Sequence, residues 1–221
     1  MIEIDGKQVF TEFEELVDPA HTALVVVDMQ RDFCSAGWYF GRLGIDISMY
    51  PPLIPRLAGL IAAARAASVR VIYLQMTVLP GRASDSPAQL RFNLRMHLAS
   101  HGAVEPLSYT LDGSPGQEII DELAPQAGDL VVKKYRSSGF WATNLDLLLR
   151  SNGIKSLVLT GCTTEGCVES TARDALFNDY YVVIAEDCVA SDDRAQHDAS
   201  LLLMRHRFDI ATAERILGSW S

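Results

Sequence analysis

Residues 22–28 read TALVVVD, an apolar run that ends in a carboxylate. Its consecutive apolar side chains lack polar alternation, which is typical of a parallel strand buried on both faces. Five further short apolar runs follow along the chain, at residues 69–76, 129–134, 156–161, 180–187 and 208–212. Together the six runs predict a six-stranded, mostly parallel sheet.

Segments with helical spacing of apolar residues separate these runs, at 53–67, 140–150, 164–177 and 195–208. Such alternation of strands and helices predicts an α/β fold, doubly wound, with helices on both faces of the sheet. A length of 221 residues with 48% apolar residues suits a single domain over residues 1–221. Two segments, 33–52 and 77–116, interrupt the alternation and are either binding loops or surface excursions, with a short helix predicted at 88–99.

The charge balance is acidic, with 28 Asp and Glu against 19 Lys and Arg. Such a surface repels phosphate backbones, which argues against a nucleic-acid partner. No apolar run approaches the ~20 residues that span a bilayer, so no membrane association is expected. The N-terminal segment lacks the basic and apolar regions of a signal peptide, which predicts a cytoplasmic protein with reduced cysteines.

Reactive side chains stand at the ends of three predicted strands. Asp28 ends the first strand, Lys133 and Lys134 end the third, and a turn after the fourth leads to Cys167 at the start of a helix. Because the carboxyl ends of parallel strands share one edge of the sheet, these groups are expected to meet there. None of the five histidines follows a strand, which favours a Cys–Lys–Asp arrangement over a Cys–His pair.

The three residue types suit nucleophilic catalysis. A helix N-terminus and a lysine favour the Cys167 thiolate, while Asp28 can accept and return a proton. Thr164 is expected to cap the helix, and Gly166 allows a close approach. Backbone N–H groups of the 161–167 turn could form an oxyanion hole. Cys162 and Cys188 are interpreted as core residues, whereas the role of Cys34 is open.

Three motifs in this order resemble the isochorismatase-like cysteine hydrolases. The first is DMQRDF at 28–33, matching D-x-Q-x-D-F; the second is KYRSSGFWATNL at 134–145, matching K-x-R-x-S-[AG]-F; the third is GCTTEGCVESTARDA at 161–175. The resemblance covers roughly residues 20–212 and implies a Rossmann-like fold. It also implies a catalytic triad of Asp28, Lys134 and Cys167, with Lys134 chosen over Lys133 because it stands six residues before Phe140.

The resemblance further implies a cis peptide between Cys162 and Thr163, which would place the Thr163 and Cys167 amides in the oxyanion hole. We expect substrate contacts from Gln30, Phe33, Trp38, Thr163 and Thr164. Family members are usually oligomers, so a homodimer or homotetramer is expected. No cofactor is expected. No metal site is expected either, because the chain lacks a ligand-spaced cluster of histidines or cysteines.

Departures from other branches narrow the predicted activity. Members that cleave vinyl ethers lack this cysteine, and nicotinamidases carry metal-binding histidines where this chain reads QMTVLPGRASDSP at 75–87. The chain looks most like N-carbamoylsarcosine, biuret and ureidoacrylate amidohydrolases. This branch implies hydrolysis of a small amide, carbamoyl or ureido substrate through a thioester, with release of ammonia.

Two alternatives stay open from the sequence. One is a vinyl ether hydrolase that uses Asp28 as an acid, and the other is a non-catalytic homologue that acts as a binding subunit. Three arginines in the long loop, Arg82, Arg91 and Arg95, could hold a substrate carboxylate or could simply be solvated.

Overall fold

The computed structural model describes residues 1–101 and 109–220. The strands are β1 (Ile2–Ile4), β2 (Lys7–Val9), β3 (Thr22–Val27), β4 (Arg70–Met76), β5 (Leu130–Lys134), β6 (Ser156–Cys162), β7 (Tyr181–Ala190) and β8 (Asp209–Ala211). The helices are α1 (Phe13–Leu16), α2 (Arg31–Cys34), α3 (Tyr39–Arg42), α4 (Tyr50–Ala66), α5 (Pro87–His101), α6 (Leu145–Ser151), α7 (Glu169–Phe177), α8 (Arg194–Met204) and α9 (Ala213–Trp220). A π-helical turn, Thr164–Val168, leads into α7.

Six strands form one sheet in the order β5-β4-β3-β6-β7-β8, and all of its pairings are parallel. The strand order reverses direction between β3 and β6, which lie side by side. Val27, the last residue of β3, pairs with Leu74 of β4 and with Gly161 of β6, so the three central strands end within two residues of one another. The predicted α/β fold is confirmed, and its topological switch point lies where ligands bind in such sheets.

Helices cover both faces of this sheet. On β3, Leu24 and Val26 belong to the apolar cluster that includes α4 and α9, whereas Val25 belongs to the cluster that includes α6, α7 and α8. Every residue of β3 and β6 is buried, which explains why their sequences show no polar alternation. None of the helices in the described residues is both long and apolar enough to cross a membrane.

The structure corrects several predicted boundaries. Helix α6 begins at Leu145 rather than at residue 140, because Ala142 adopts a positive φ of 55° that a helix does not accommodate. Helix α8 ends at Met204 instead of 208, and α5 is longer than the predicted 88–99 helix. The exposed hairpin of β1 and β2 was not predicted, since its short strands bury no apolar face. Residues 102–108 of the predicted long loop lie outside the described residues.

Gly161 allows β6 to approach β3 at the switch point. Its φ is +100°, and a Cβ atom placed there would lie 2.1 Å from the Val27 carbonyl oxygen. Gly161→Ala is therefore expected to lower the free energy of unfolding by about 3 kcal/mol or more, measured by urea denaturation. Gly59→Ala is the matched control, because Gly59 is exposed inside α4 with open space around it. It should stabilise the protein by about 0.5–1 kcal/mol, and equal losses in both variants would contradict this account.

Candidate active site

The fold brings Asp28, Lys134 and Cys167 together at the carboxyl edge of the sheet. Asp28 directly follows β3 with a positive φ of 50°, Lys134 is the last residue of β5, and Cys167 lies in the π-helical turn after β6. The Lys134 Nζ atom lies 2.7 Å from Asp28 Oδ2 and donates a hydrogen bond of 3.1 Å to Cys167 Sγ. One ammonium group thus bridges the carboxylate and the thiol.

Lys134 is fully buried and its side chain is completely partnered. Besides Asp28 and Cys167, its Nζ atom donates to the Arg136 carbonyl oxygen at 3.1 Å. The Met76 Sδ atom also lies 3.8 Å from Nζ, so the three N–H bonds of the ammonium group have partners on every side. Although burial lowers the pKa of Lys134, its interactions with Asp28 and Cys167 outweigh this and raise it overall, so the side chain stays cationic. Lys133, by contrast, pairs with Asp112 at the surface.

Besides its ion pair with Lys134, Asp28 accepts a hydrogen bond from the Met76 backbone N–H, which donates to Oδ1 at 2.9 Å. The same N–H also donates to Gln30 Oε1 at 2.8 Å, and Gln30 Nε2 donates to the Met76 and Gln117 carbonyl oxygens. Gln30 is fully buried by these bonds. Its amide holds the strand end next to Asp28 and the residue does not line the cavity described below, so its substrate contact stays a prediction.

The turn that carries Cys167 begins with the predicted cis peptide between Cys162 and Thr163, which the structure confirms. A Cβ atom on Gly166 would lie 2.5 Å from Thr163 Oγ1, so glycine allows this tight turn. Thr171 Oγ1 donates to the Cys167 carbonyl oxygen at 2.7 Å and accepts from the Gly139 N–H at 3.0 Å. Thr171 thereby ties the cysteine turn to the segment that follows Lys134.

The prediction that Thr164 caps the helix is wrong, because its hydroxyl group has another partner. Its hydroxyl lies 2.8 Å from His197 Nδ1 on α8, and the side chain is fully buried. Thr164 therefore fastens the turn to α8, and it is not among the residues that line the cavity described below.

Burial dominates the ionisation of the thiol and the carboxyl group. It raises the pKa of Cys167 to about 12, although the Lys134 charge acts in the opposite direction. Burial also raises the pKa of Asp28, against the opposing effect of Lys134. Cys167 is therefore a thiol at rest, next to the Asp28 carboxylate, and not the thiolate that the sequence suggested. A base with a raised pKa is better suited to take the thiol proton during attack.

A cavity of about 160 Å³ opens above these residues, with Asp28 and Cys167 in its wall. This volume is smaller than the roughly 300–1,000 Å³ of pockets that hold drug-sized ligands, which indicates a small ligand. Two of the five predicted substrate contacts, Phe33 and Thr163, line it. Lining residues that the sequence did not single out include four on α5, Gln89, Phe92, Asn93 and Met96, together with Tyr109, Ser137, Glu165 and Asp192.

Trp38 lies away from this wall, with its ring 5.8 Å from the Arg31 guanidinium carbon. Phe40, two residues later, supplies an aromatic side chain to the wall, and the substrate contact of Trp38 stays a prediction. The three loop arginines also lie elsewhere. Arg82 pairs with Asp85 at 3.2 Å, and Arg91 and Arg95 are exposed on α5.

The described part of the chain contains no group of three or more His, Cys, Asp or Glu side chains that could hold a metal ion. The side chains of His97 and His101 lie outside the described residues. His197 is buried against Thr164.

A family profile described as the isochorismatase domain matches residues 22–214. The chain belongs to the isochorismatase family. The chain is 42% identical over 178 residues to the ureidoacrylate amidohydrolase RutB of Pantoea ananatis (strain LMG 20103), covering 76% of this chain and 69% of the relative.

Solved structures from the isochorismatase family show the same fold. A cysteine hydrolase from Pseudomonas syringae pv. phaseolicola 1448A superposes with a TM-score of 0.78 at 28% identity, over 93% of this chain and 94% of that one. The N-carbamoylsarcosine amidase from Thermoplasma acidophilum gives a TM-score of 0.67 at 31% identity, over 88% and 97%. The predicted family is confirmed, and this chain is an isochorismatase-like hydrolase.

Proposed function

We propose that this protein hydrolyses a C–N bond of a small amide, carbamoyl or ureido compound, with Cys167 as the nucleophile. The observation that carries the proposal is the contact of Lys134 Nζ with both Asp28 and Cys167 in a small cavity. Similarity to a ureidoacrylate amidohydrolase and to an N-carbamoylsarcosine amidase supports the ureido or carbamoyl substrate class.

The first half-reaction forms a thioester. As Cys167 Sγ attacks the carbonyl carbon, Asp28 accepts the thiol proton, and Lys134 stabilises the sulfur while its charge develops. The oxyanion is directed to the backbone N–H groups of Thr163 and Cys167. When the C–N bond breaks, the Asp28 carboxyl group returns its proton to the departing nitrogen, which leaves as ammonia from a primary amide.

The second half-reaction regenerates the thiol. Asp28, again a carboxylate, takes a proton from water as the water oxygen attacks the thioester carbonyl carbon. The C–S bond then breaks and the sulfur regains the proton. One water is consumed for each amide, which gives a carboxylate and ammonium. A monosubstituted urea loses its terminal nitrogen as ammonia in the first half-reaction, and hydrolysis of the carbamoyl thioester then gives a carbamate, which decomposes to an amine and carbon dioxide.

Trapping the thioester tests this proposal directly. Enzyme quenched in acid during turnover of a reactive small amide or ureide should carry an acyl or carbamoyl mass on the peptide containing Cys167. The peptide containing Cys188, from a buried cysteine outside the cavity, is the internal control. A broad amide and ureide panel that releases no ammonia would refute the proposal, as would efficient hydrolysis of vinyl ethers without an adduct.

A further inference from the structure

Asn93 is a buried amide in the wall of the cavity, and the mechanism above does not use it. The residue lies on α5, and only 6% of it is exposed. It lines the same cavity as Asp28 and Cys167, from a helix that carries none of the proposed triad. Because a polar side chain that is buried to this degree is usually hydrogen-bonded, its partners show what it can still bind.

Only the oxygen of this amide has a partner among the described residues. Gln89, one turn earlier on α5, donates a hydrogen bond from Nε2 to Asn93 Oδ1 at 2.9 Å. The Asn93 Nδ2 group donates to no described residue. Since the bond from Gln89 fixes the oxygen end of the amide, the two N–H bonds of Nδ2 are left for a molecule in the cavity.

A buried donor without an acceptor is costly, because it has lost its water and gained no hydrogen bond in return. A ligand removes that cost when it brings an acceptor, and the carbonyl oxygen of a neutral group suits a neutral amide. The other described side chains of α5 that line the cavity are Phe92 and Met96, which are apolar. A hydrogen bond from the described part of this helix to a ligand therefore comes from Asn93 or Gln89.

We propose that Asn93 determines substrate specificity by donating a hydrogen bond to a second carbonyl oxygen of the substrate, remote from the bond that is cleaved. Gln89 is a positioning residue, because its bond to Oδ1 keeps the NH2 group of Asn93 available to the ligand. The substrate class is then a small ureide or amide that carries a further neutral carbonyl group, such as a carboxamide. This inference rests on the proposed function for the reacting end of the substrate and adds the chemistry of the other end.

Two ureides of nearly equal size test the inference. One is 3-ureidopropionamide, which ends in a carboxamide, and the other is 3-methylbutylurea, in which an isopropyl group replaces it. The wild-type kcat/KM should be higher for the carboxamide. In Asn93→Leu, which keeps the side chain's size, the ratio of kcat/KM for carboxamide over alkyl ureide should fall at least ~tenfold, mainly through KM. A merely structural role for Asn93 would lower both values together and leave the ratio unchanged.

Gln89→Glu tests the orientation of the Asn93 amide. A carboxylate cannot donate a hydrogen bond, so Asn93 should turn its NH2 group towards the new carboxylate and present Oδ1 to the cavity. The ratio should then fall as it does in Asn93→Leu. Gln126→Glu is the matched control, because it adds the same charge at an exposed position outside the cavity, and it should leave the ratio unchanged.

A wild-type preference for the alkyl ureide, or a ratio that Asn93→Leu does not move, would overturn the inference. Gln89→Glu serves in its place if Asn93→Leu fails to fold, and a ratio that Gln89→Glu leaves unchanged would overturn the positioning role of Gln89. Calorimetric binding of both ureides to Cys167→Ala separates the two proposals. Tighter binding of the carboxamide without ammonia release by the wild type would retain this inference and refute the proposed function, whereas ammonia release with equal kcat/KM for both ureides would do the reverse.

Discussion

Cys167→Ala is expected to abolish turnover while the protein stays folded. The substitution removes the sulfur that forms the thioester, so no later step of the proposed reaction can take place. We expect kcat to fall by about 10³-fold or more, as when a nucleophile is removed from a catalytic unit. The stability loss should be small, because the side chain is short, only partly buried, and borders the cavity at the edge of the core. Ammonia release and urea unfolding measure the two effects separately.

Cys188→Ala is the matched control for this variant. Cys188 is a free cysteine, buried away from the cavity wall, and burial raises the pKa of its thiol to about 12 as it does for Cys167. Its removal should therefore cost stability and leave turnover nearly unchanged. Cys162→Ala should be intermediate, since its thiol lines the cavity and donates to the Asp28 carbonyl oxygen at 3.2 Å. Substantial activity in Cys167→Ala would exclude the thioester mechanism.

The sheet could be predicted because its strands are buried on both faces. Segments such as β3 and β6 must then be apolar throughout, and that pattern is visible in the sequence. The hairpin of β1 and β2 leaves no such trace, because most of its residues are exposed. The non-helical start of the 140–150 segment is also invisible in an apolar pattern, because it depends on the backbone conformation of Ala142.

The residues of the proposed triad could be predicted for a similar reason. Strand ends fix where Asp28, Lys134 and the cysteine turn are placed, so order along the chain is enough to bring them to one edge. Side chains that line the cavity from α5 depend on how that helix packs, which no local pattern encodes. Gln30 shows what the sequence does not decide. A glutamine at this motif position could face a ligand or could hold the backbone, and here it accepts a hydrogen bond from the Met76 N–H.

The protonation state of the resting Cys167 side chain could be deduced only from the structure. A lysine and a helix start near Cys167 suggest a thiolate, but they say nothing about how much solvent the fold removes. Desolvation of the sulfur outweighs the attraction of Lys134, and the pKa of Cys167 rises. Proton transfer to Asp28 therefore belongs to the attack step in the proposed mechanism.

Lys134→Met is expected to remove activity and to destabilise the fold. Its loss leaves Asp28 buried without the cation that is 2.7 Å away, and breaking a buried ion pair in this manner costs about 3–5 kcal/mol. Without Lys134 the pKa of Asp28 rises further, so the carboxyl group holds its proton at neutral pH and cannot act as a base. We expect kcat, measured by ammonia release, to fall by about 10³-fold or more.

Two further variants show whether the charge pair is responsible. Asp28→Asn combined with Lys134→Met removes both charges, so it should recover part of the stability lost in Lys134→Met without recovering any turnover. Lys133→Ala, which breaks only the surface pair with Asp112, should cost less than about 1 kcal/mol and keep kcat. If Lys133→Ala were the inactive variant and Lys134→Met the active one, the assignment of the lysine within the KYRSSGF motif would be wrong. If the double variant were no more stable than Lys134→Met, the loss would reflect packing of the lysine side chain, and the buried ion pair would not be what holds Asp28 in its charged form.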